Sequence, residues 1–344
     1  NAAFYGMITN IDENMGRLVA KLDELGLAQN TILIFTTDNG TAAGFRNGRG
    51  FNAGMRGTKG SLFDGGHRVP CFIRWPDGRL VGGRDIDVLA THLDLLPTFV
   101  DLCRLSYPAS AKFDGVSLAP VLVGKATEMP DREIFVQFRQ SPDPPQHGNA
   151  AVMTRRWRLL GGSQLFDIKA DPAQQHNLAA EHVEVVERLR RAYEAWWAEV
   201  SPRFDDYCRI VIGSEHENPA RLTCFDWYTS TPWNQNHIRN GTAANGFWAV
   251  DVALAGKYEV SLRRWPEELD LAITAACPGG KPIRATTARL KIGRKDLSEP
   301  VPRDAAAVTF DVELEAGQTE LQTWFVDEKT DQSRGAYYVI VKRK

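Results

Sequence analysis

Asp38 and Asn39 follow directly on the apolar run Ile32–Phe35, in T-I-L-I-F-T-T-D-N-G. Together they offer a carboxylate and an amide carbonyl, hard oxygen donors suited to calcium or magnesium. D-N-G is also ordinary turn chemistry, so the pair gains meaning only if something converges on it. Lys59 does, inside R-G-T-K-G, where glycine neighbours let backbone and ammonium approach an anion closely. Arg56 and Arg68 add positive charge. A divalent cation beside a fixed lysine is a device for holding a tetrahedral oxyanion and stabilising charge on its departing oxygen. The bland alternative is a solvated loop lysine.

The elements that must position these residues are two short apolar runs, Ile32–Phe35 and Val69–Trp75, which read as strands buried on both faces. In open α/β sheets chemistry sits beyond the carboxyl ends of such strands, where Asp38 and Asn39 fall. Gly40 to Gly66 holds nine glycines and almost no hydrophobic periodicity, the mark of a long functional loop. Ahead of it, Phe4, Met7, Ile11, Met15, Leu18, Leu22 and Leu25 recur at helical steps, with Gly26 as the stop. Asp85–Leu89 reads as a further short strand. Thr91–Leu105 reads as a helix that tolerates Pro97 only in its first turn.

Beyond Ser106–Pro108 the pattern changes. Glu133–Phe138, Ala151–Thr154, Trp157–Leu160 and Gln164–Asp167 are strand candidates between Pro/Gly turns, and Ser141–Pro145 is a loop. Val183–Val200 is an amphipathic helix lined by Val183, Val186, Leu189, Tyr193, Trp196 and Trp197. A small antiparallel sheet packed by one helix is the economical reading. From about Asp206, strand-like runs recur at short intervals: Leu222–Trp227, Gly246–Leu254, Gly256–Arg264, Leu269–Ala275, Arg284–Ile292, Ala307–Leu314, Gly317–Val326 and Ala336–Val341. That is the signature of an all-β sandwich-like module. Its tryptophans are expected mostly in the core; Trp233 and His237, in a polar stretch, are the best candidates for stacking on a sugar ring.

The totals constrain partners. The chain has 344 residues and a formal net charge of −2, which gives no electrostatic case for nucleic acid or a membrane surface. No apolar run approaches the ~20 residues of a membrane span. Five scattered cysteines lack a C-x-x-C pair, which argues against zinc or a redox motif. Cys208 and Cys224 are a possible pair. Asn1 leads straight into a helical pattern, so the chain is expected to be a carboxy-terminal piece of a longer protein.

F-T-T-D-N-G followed by G-M-R-G-T-K-G-S-L-F-D-G-G-H-R-V-P-C-F-I-R-W-P resembles the second signature block of the formylglycine-dependent type I sulfatases, of the alkaline-phosphatase-like superfamily. Y-G-M-I-T-N-I-D-E-N-M-G-R-L and T-H-L-D-L-L-P-T-F are similar to the helices flanking that block. Q-L-F-D-I-K-A-D-P-A-Q-Q-H-N-L resembles the family's L-Y-D-L-x-x-D-P-x-E-x-x-N-L. The likeness covers roughly residues 1–200 as an ordered set of blocks. It implies that Asp38 and Asn39 are two calcium ligands, with calcium preferred to magnesium. It implies that Lys59 contacts the sulfate group and its bridging oxygen, with Arg56 and His67 beside the substrate. Asp64 stands where Glu is commoner, and His67 where many members are aliphatic, which suits a packing or supporting role.

The family's nucleophile comes from C-x-P-x-R or S-x-P-x-R, and no Cys or Ser here opens that motif. Cys71 opens C-F-I-R-W; Ser230 and Ser298 open S-T-P-W-N and S-E-P-V-P. The resemblance therefore implies a sulfuric ester hydrolase whose formylglycine lies upstream, and a chain that is inactive alone. A phosphodiesterase or phosphatase of the same superfamily is the alternative enzyme, disfavoured because no D-H pair follows Asp38-Asn39 to build a two-metal site. A non-catalytic glycan-binding or structural fragment is the third reading. The expected architecture is the carboxy-terminal part of an α/β doubly wound catalytic domain (1–105), a small α+β subdomain (106–205) and an accessory β-sandwich-like domain (206–344). The last resembles a module of some bacterial arylsulfatase-like proteins. By resemblance the partner is a sulfated small molecule or glycan, and the location periplasmic or secreted.

Overall fold

The computed structural model describes residues 2–42, 50–80, 82–139, 144–229 and 231–344. Part of the glycine-rich loop (43–49), most of the Ser141–Pro145 stretch (141–143) and Ser230 lie outside the described residues. The fold is mixed α/β with several separate sheets, in two compact units: residues 2–139 with Pro145–Pro202, and Arg203–Lys344.

In the first unit, α1 (Ala2–Glu24) ends as expected, with Gly26 at φ +68. The helical spacing is right, but none of its residues is buried; Met7, Ile11 and Leu18 are all exposed. β1 (Leu33–Thr36) pairs with β2 (Cys71–Arg74) antiparallel, Leu33 opposite Arg74. Burial on both faces, expected from their composition, is not found: Phe72 is 67% exposed. A continuous apolar run fixes strand type but not what covers it, and here the two strands form a ribbon of their own. Asp85–Leu89 is not a strand. A single 3-10 turn (His92–Asp94) precedes α3 (Leu95–Cys103), which follows the short α2 (Asp64–His67) in the chain. Pro97 lies in the first turn of α3, where its missing N–H costs nothing. α4 (Ala119–Leu122) buries Val121 and Leu122 against Leu80 and Leu118.

β3 (Ile134–Gln137), β4 (Ala150–Met153), β5 (Trp157–Leu160) and β6 (Gln164–Asp167) form an antiparallel meander in sequence order. Alternation along each strand sorts two faces. Val152, Leu159 and Leu165 pack on Val186, Leu189 and Tyr193 of α5 (Val183–Val200). Ala151, Leu160 and Phe166 face the other way and meet Leu62 and Phe63. Both faces are covered, which is why β4 and β5 are buried throughout. Val183, expected on the packed side of α5, is instead 54% exposed at its first turn.

The second unit is a two-sheet sandwich. Its strands are β7 (Ile210–Ile212), β8 (Ala220–Thr223), β9 (Tyr228–Thr229), β10 (Gly246–Val252), β11 (Gly256–Arg263), β12 (Thr287–Ile292), β13 (Lys295–Pro300), β14 (Val308–Leu314), β15 (Gly317–Asp327), β16 (Gln332–Arg334) and β17 (Tyr338–Arg343). One sheet runs β13-β12-β15-β10-β7, with β16 on β15 and β9 on β10; the other runs β14-β11-β17-β8. Trp248, Val250, Leu290, Leu321 and Phe325 from the first meet Tyr258, Val260, Leu262, Phe310 and Val339 from the second. Leu269–Ala275 is irregular instead of a strand, and β13, with charges at Lys295, Asp296 and Glu299, is an exposed strand that composition hides. Trp227, Trp248 and Trp265 are core, whereas Trp233 is 60% exposed with its ring edge-on to His237. A short helix, α6 (Gln235–Arg239), follows it. Cys208 and Cys224 are not paired; all five cysteines are free. Burial pushes the Cys224 thiol up to about 12.

Candidate functional site

Asp38 and Asn39 follow β1 at its carboxyl end, Asp38 exposed and Asn39 half-buried. Among the described residues the Asp38 carboxylate makes no hydrogen bond or ion pair. Two backbone bonds bring the lysine loop to this strand end: Gly40 N–H donates to Gly66 O at 3.0 Å, and Lys59 N–H to Thr41 O at 2.9 Å. The exposed Lys59 thus starts from backbone tied two residues past Asn39. The glycines allow this approach. A Cβ on Gly40 would stand 1.9 Å from Gly65 O, and one on Gly65 2.3 Å from Gly57 O.

The loop is cross-linked internally and to the small sheet. The buried Asn52 side chain donates to Met55 O at 3.1 Å and Gly57 O at 2.8 Å. The Arg56 guanidinium lies 4.1 Å over the Phe63 ring and donates to Gln174 O at 2.9 Å. Asp64 N–H donates to Gln174 Oε1 at 2.8 Å. Both ends of segment 56–64, with Lys59 between them, are therefore fastened to one fully buried residue. Gln174 itself holds φ +52, the left-handed region. The Asp64 carboxylate, 1% exposed, takes Arg158 Nε at 3.0 Å, and Arg68 stands 3.9 Å away. Arg158 also donates to Thr154 O and Trp157 O, so its charge is anchored within the sheet.

His67 ends α2 with Nε2 3.1 Å from Leu62 O, an acceptor, so Nε2 carries the hydrogen. Burial lowers its pKa, against the opposing pull of Asp64, and the ring is neutral at physiological pH. It stabilises the turn and leaves Nδ1 as an uncharged acceptor.

Asp38, Asn39 and Lys59 are thus drawn to one neighbourhood by backbone geometry, whereas Arg56 spends a donor on Gln174 O and His67 one on Leu62 O. The Asp64–Arg158–Gln174 clamp escaped sequence reading. Two signals for it exist: Arg158 is a charge inside the apolar run W-R-L-L, and Gln174 holds the place of Glu in D-P-x-E-x-x-N-L. For a calcium ion the donors fit in kind, as hard oxygens at a strand end. They are few: among the described residues no three His, Cys, Asp or Glu gather as a metal cluster.

A sulfatase family model matches residues 2–105, and the model of the N-sulphoglucosamine sulphohydrolase carboxy-terminal region matches residues 58–196. Over residues 2–196, the span of these two matches, the chain is of the sulfatase family. The first match holds the helix, strand and glycine-rich block, and the second spans the clamp from Asp64 to Gln174. Mouse (Mus musculus) steryl-sulfatase is 30% identical over 243 residues, covering 60% of this chain and 39% of that protein. An N-acetylgalactosamine-6-O-sulfatase of Bacteroides thetaiotaomicron is 28% identical, covering 55% of this chain and 40% of that protein. A crystal structure of a Pseudoalteromonas sulfatase is 20% identical with a TM-score of 0.47, covering 58% of this chain and 42% of that one. The chain spans about two fifths of the length of these curated sulfatases.

Proposed function

We propose that this chain forms the cation- and sulfate-holding part of an enzyme that hydrolyses a sulfate ester. The observation that carries the reading is the junction of the Asp38-Asn39 strand end with the Lys59 loop, through Lys59 N–H to Thr41 O and Gly40 N–H to Gly66 O. Asp38 and Asn39 would hold a calcium ion, which when bound neutralises charge on the sulfate oxygens. The Lys59 ammonium orients the sulfate group and stabilises negative charge on the bridging oxygen as the ester bond breaks. Arg56 adds positive potential from the loop base. His67, neutral, presents an acceptor to a substrate hydroxyl. Asp64, buried against Arg158, holds the turn and takes no part in proton transfer.

The nucleophile, a formylglycine, belongs in this reading to a part of the protein outside this chain, because no C-x-P-x-R or S-x-P-x-R is present. A sulfated small molecule or glycan is the substrate class, supported by relatives named for steryl and N-acetylgalactosamine sulfate chemistry. Export to the periplasm or beyond suits a calcium enzyme; no helix among the described residues is long and apolar enough to cross a membrane. Residues 1–105, 106–205 and 206–344 would serve as catalytic part, small subdomain and accessory module.

The test is aryl sulfate turnover by the 344-residue chain and by the longer protein that contains it. The chain alone is expected to be silent, and the longer protein active with calcium. Lys59→Ala in the longer protein should lower kcat/KM by about 10²–10³-fold, the usual loss of one charge-stabilising donor. Turnover by the purified chain, or full activity in Lys59→Ala, overturns the assignment.

A further inference from the structure

The sandwich unit holds two buried arginines, Arg264 and Arg334, and among the described residues no carboxylate pairs with either guanidinium. Arg264 is fully buried and Arg334 is 8% exposed. Both approach Gly241: a Cβ placed there would lie 3.0 Å from Arg334 Nη1 and 3.5 Å from Arg264 Nη2, with Ile283 Cγ2 at 2.3 Å. Arg264 lies 4.3 Å over the Trp265 ring and donates to Ala275 O, Arg239 O and Lys281 O at 2.8, 3.1 and 2.6 Å. Those bonds anchor the end of α6 but supply no negative charge, and its buried Nε has no partner. The side chain of Arg334, at the end of β16, makes no hydrogen bond or ion pair among the described residues, and its Nε is also buried and unpartnered. The nearest acid by register is Asp327, two residues beyond Phe325, the cross-strand partner of Arg334. Its carboxylate is spent on Thr330 Oγ1 at 2.8 Å and Lys329 N–H at 3.2 Å.

A buried charge without a counter-charge is strongly unfavourable, so such groups are normally paired. The strain shows at Arg264, whose pKa falls to about 10 through burial, with the phenol of Tyr337 opposing and Arg334 adding to the fall. The guanidinium fork matches a carboxylate or sulfate oxygen pair in shape. We propose that Arg334, backed by Arg264, forms an anion site in the sandwich unit that takes one small oxyanion, either free or as the acidic group of a glycan. The proposal uses no residue of the Lys59 loop and stands whether or not the sulfatase reading does.

The experiment titrates the full chain with sodium sulfate against sodium chloride at matched ionic strength. Arg Nε–H signals, assigned by their loss in Arg334→Met and Arg264→Met, should shift saturably with sulfate and not with chloride. Thermal unfolding of the wild type should rise with sulfate in proportion to ln(1 + [L]/Kd). Arg334→Met should melt at or above the wild type without sulfate, since it removes the unpaired charge, and should lose the sulfate dependence. A sulfated monosaccharide arm, with its unsulfated parent as control, separates the sources: tighter binding than inorganic sulfate points to a glycan, equal binding to a free anion. Absence of saturable shifts in the wild type overturns the proposal. So does the same sulfate dependence in Arg334→Met, or an Arg334→Met protein that melts lower at every sulfate concentration or does not fold, because Arg334 is then a structural residue.

Discussion

Arg158 Nε meets the Asp64 carboxylate at 3.0 Å across 94 residues of sequence, both groups buried. This pair fastens the loop that carries Lys59 to the small antiparallel sheet. It is not a source of net stability by itself, since desolvation offsets much of the attraction. Breaking it from one side is another matter. Arg158→Met should destabilise the first unit by about 3–5 kcal/mol, because the buried Asp64 keeps only Arg68 at a distance. Denaturant unfolding of Arg158→Met, Asp64→Asn and the double variant checks it. The double variant should recover part of the single losses, as coupled neighbours do.

Gln174 fastens both ends of segment 56–64. Gln174→Ala strands the Asp64 N–H, a local loss of about 1–3 kcal/mol. Amide exchange over residues 56–66 should accelerate while the sandwich amides keep their protection. Gln174→Glu keeps the acceptor and should hold exchange near the wild-type rate.

The glycines at the junction are a stricter requirement. Gly65→Ala would put a Cβ 2.3 Å from Gly57 O and 2.6 Å from Arg56 O, which only backbone movement relieves. It should destabilise the first unit and expose the 56–64 loop to protease, whereas Gly6→Ala in α1, with open space at its Cβ, should have no adverse effect. Limited trypsin digestion, reading cleavage after Arg56 and Lys59, distinguishes the two.

Asp94 predicts an acid transition. Burial pushes its carboxyl up, but the paired Arg132 guanidinium and the N–H groups of Thr91 and Val116 outweigh it and hold the pKa below the usual range. A depressed folded-state pKa means stability that is complete above the unfolded value near ~3.9 and is lost as pH falls through the folded value. Arg132→Met should remove that contribution, flattening the stability–pH curve below pH ~4 and lowering stability at neutral pH by about 3–5 kcal/mol.

Local pattern carried much of the fold. The four strands of the small sheet and α5 are legible because alternation and helical spacing coincide with real burial on each face. The longer sandwich strands are legible for the same reason, but the two- and three-residue strands β7, β9 and β16 are too short to show a period, exposed charges mask β13, and Leu269–Ala275 is an apolar run that is not paired. Cover is not legible. Ile32–Phe35 and Val69–Trp75 look like interior strands, yet they pair as a ribbon with Phe72 open to solvent, because composition records the preference for burial and not the partner that satisfies it.

By itself the sequence determined the residue types of the candidate site, the order of its blocks and the absence of a C-x-P-x-R or S-x-P-x-R run. It placed Asp38, Asn39 and Lys59 in one loop neighbourhood because glycines and a strand end make that approach possible. Only the tertiary structure decided what holds Lys59 there. Arg56, Asp64, Arg158 and Gln174 lie up to 118 residues apart, and their bonds depend on strand register and the left-handed turn at Gln174. The unanswered charge of Arg334 was equally hidden, since a sequence shows that an arginine is present but not whether an acid reaches it.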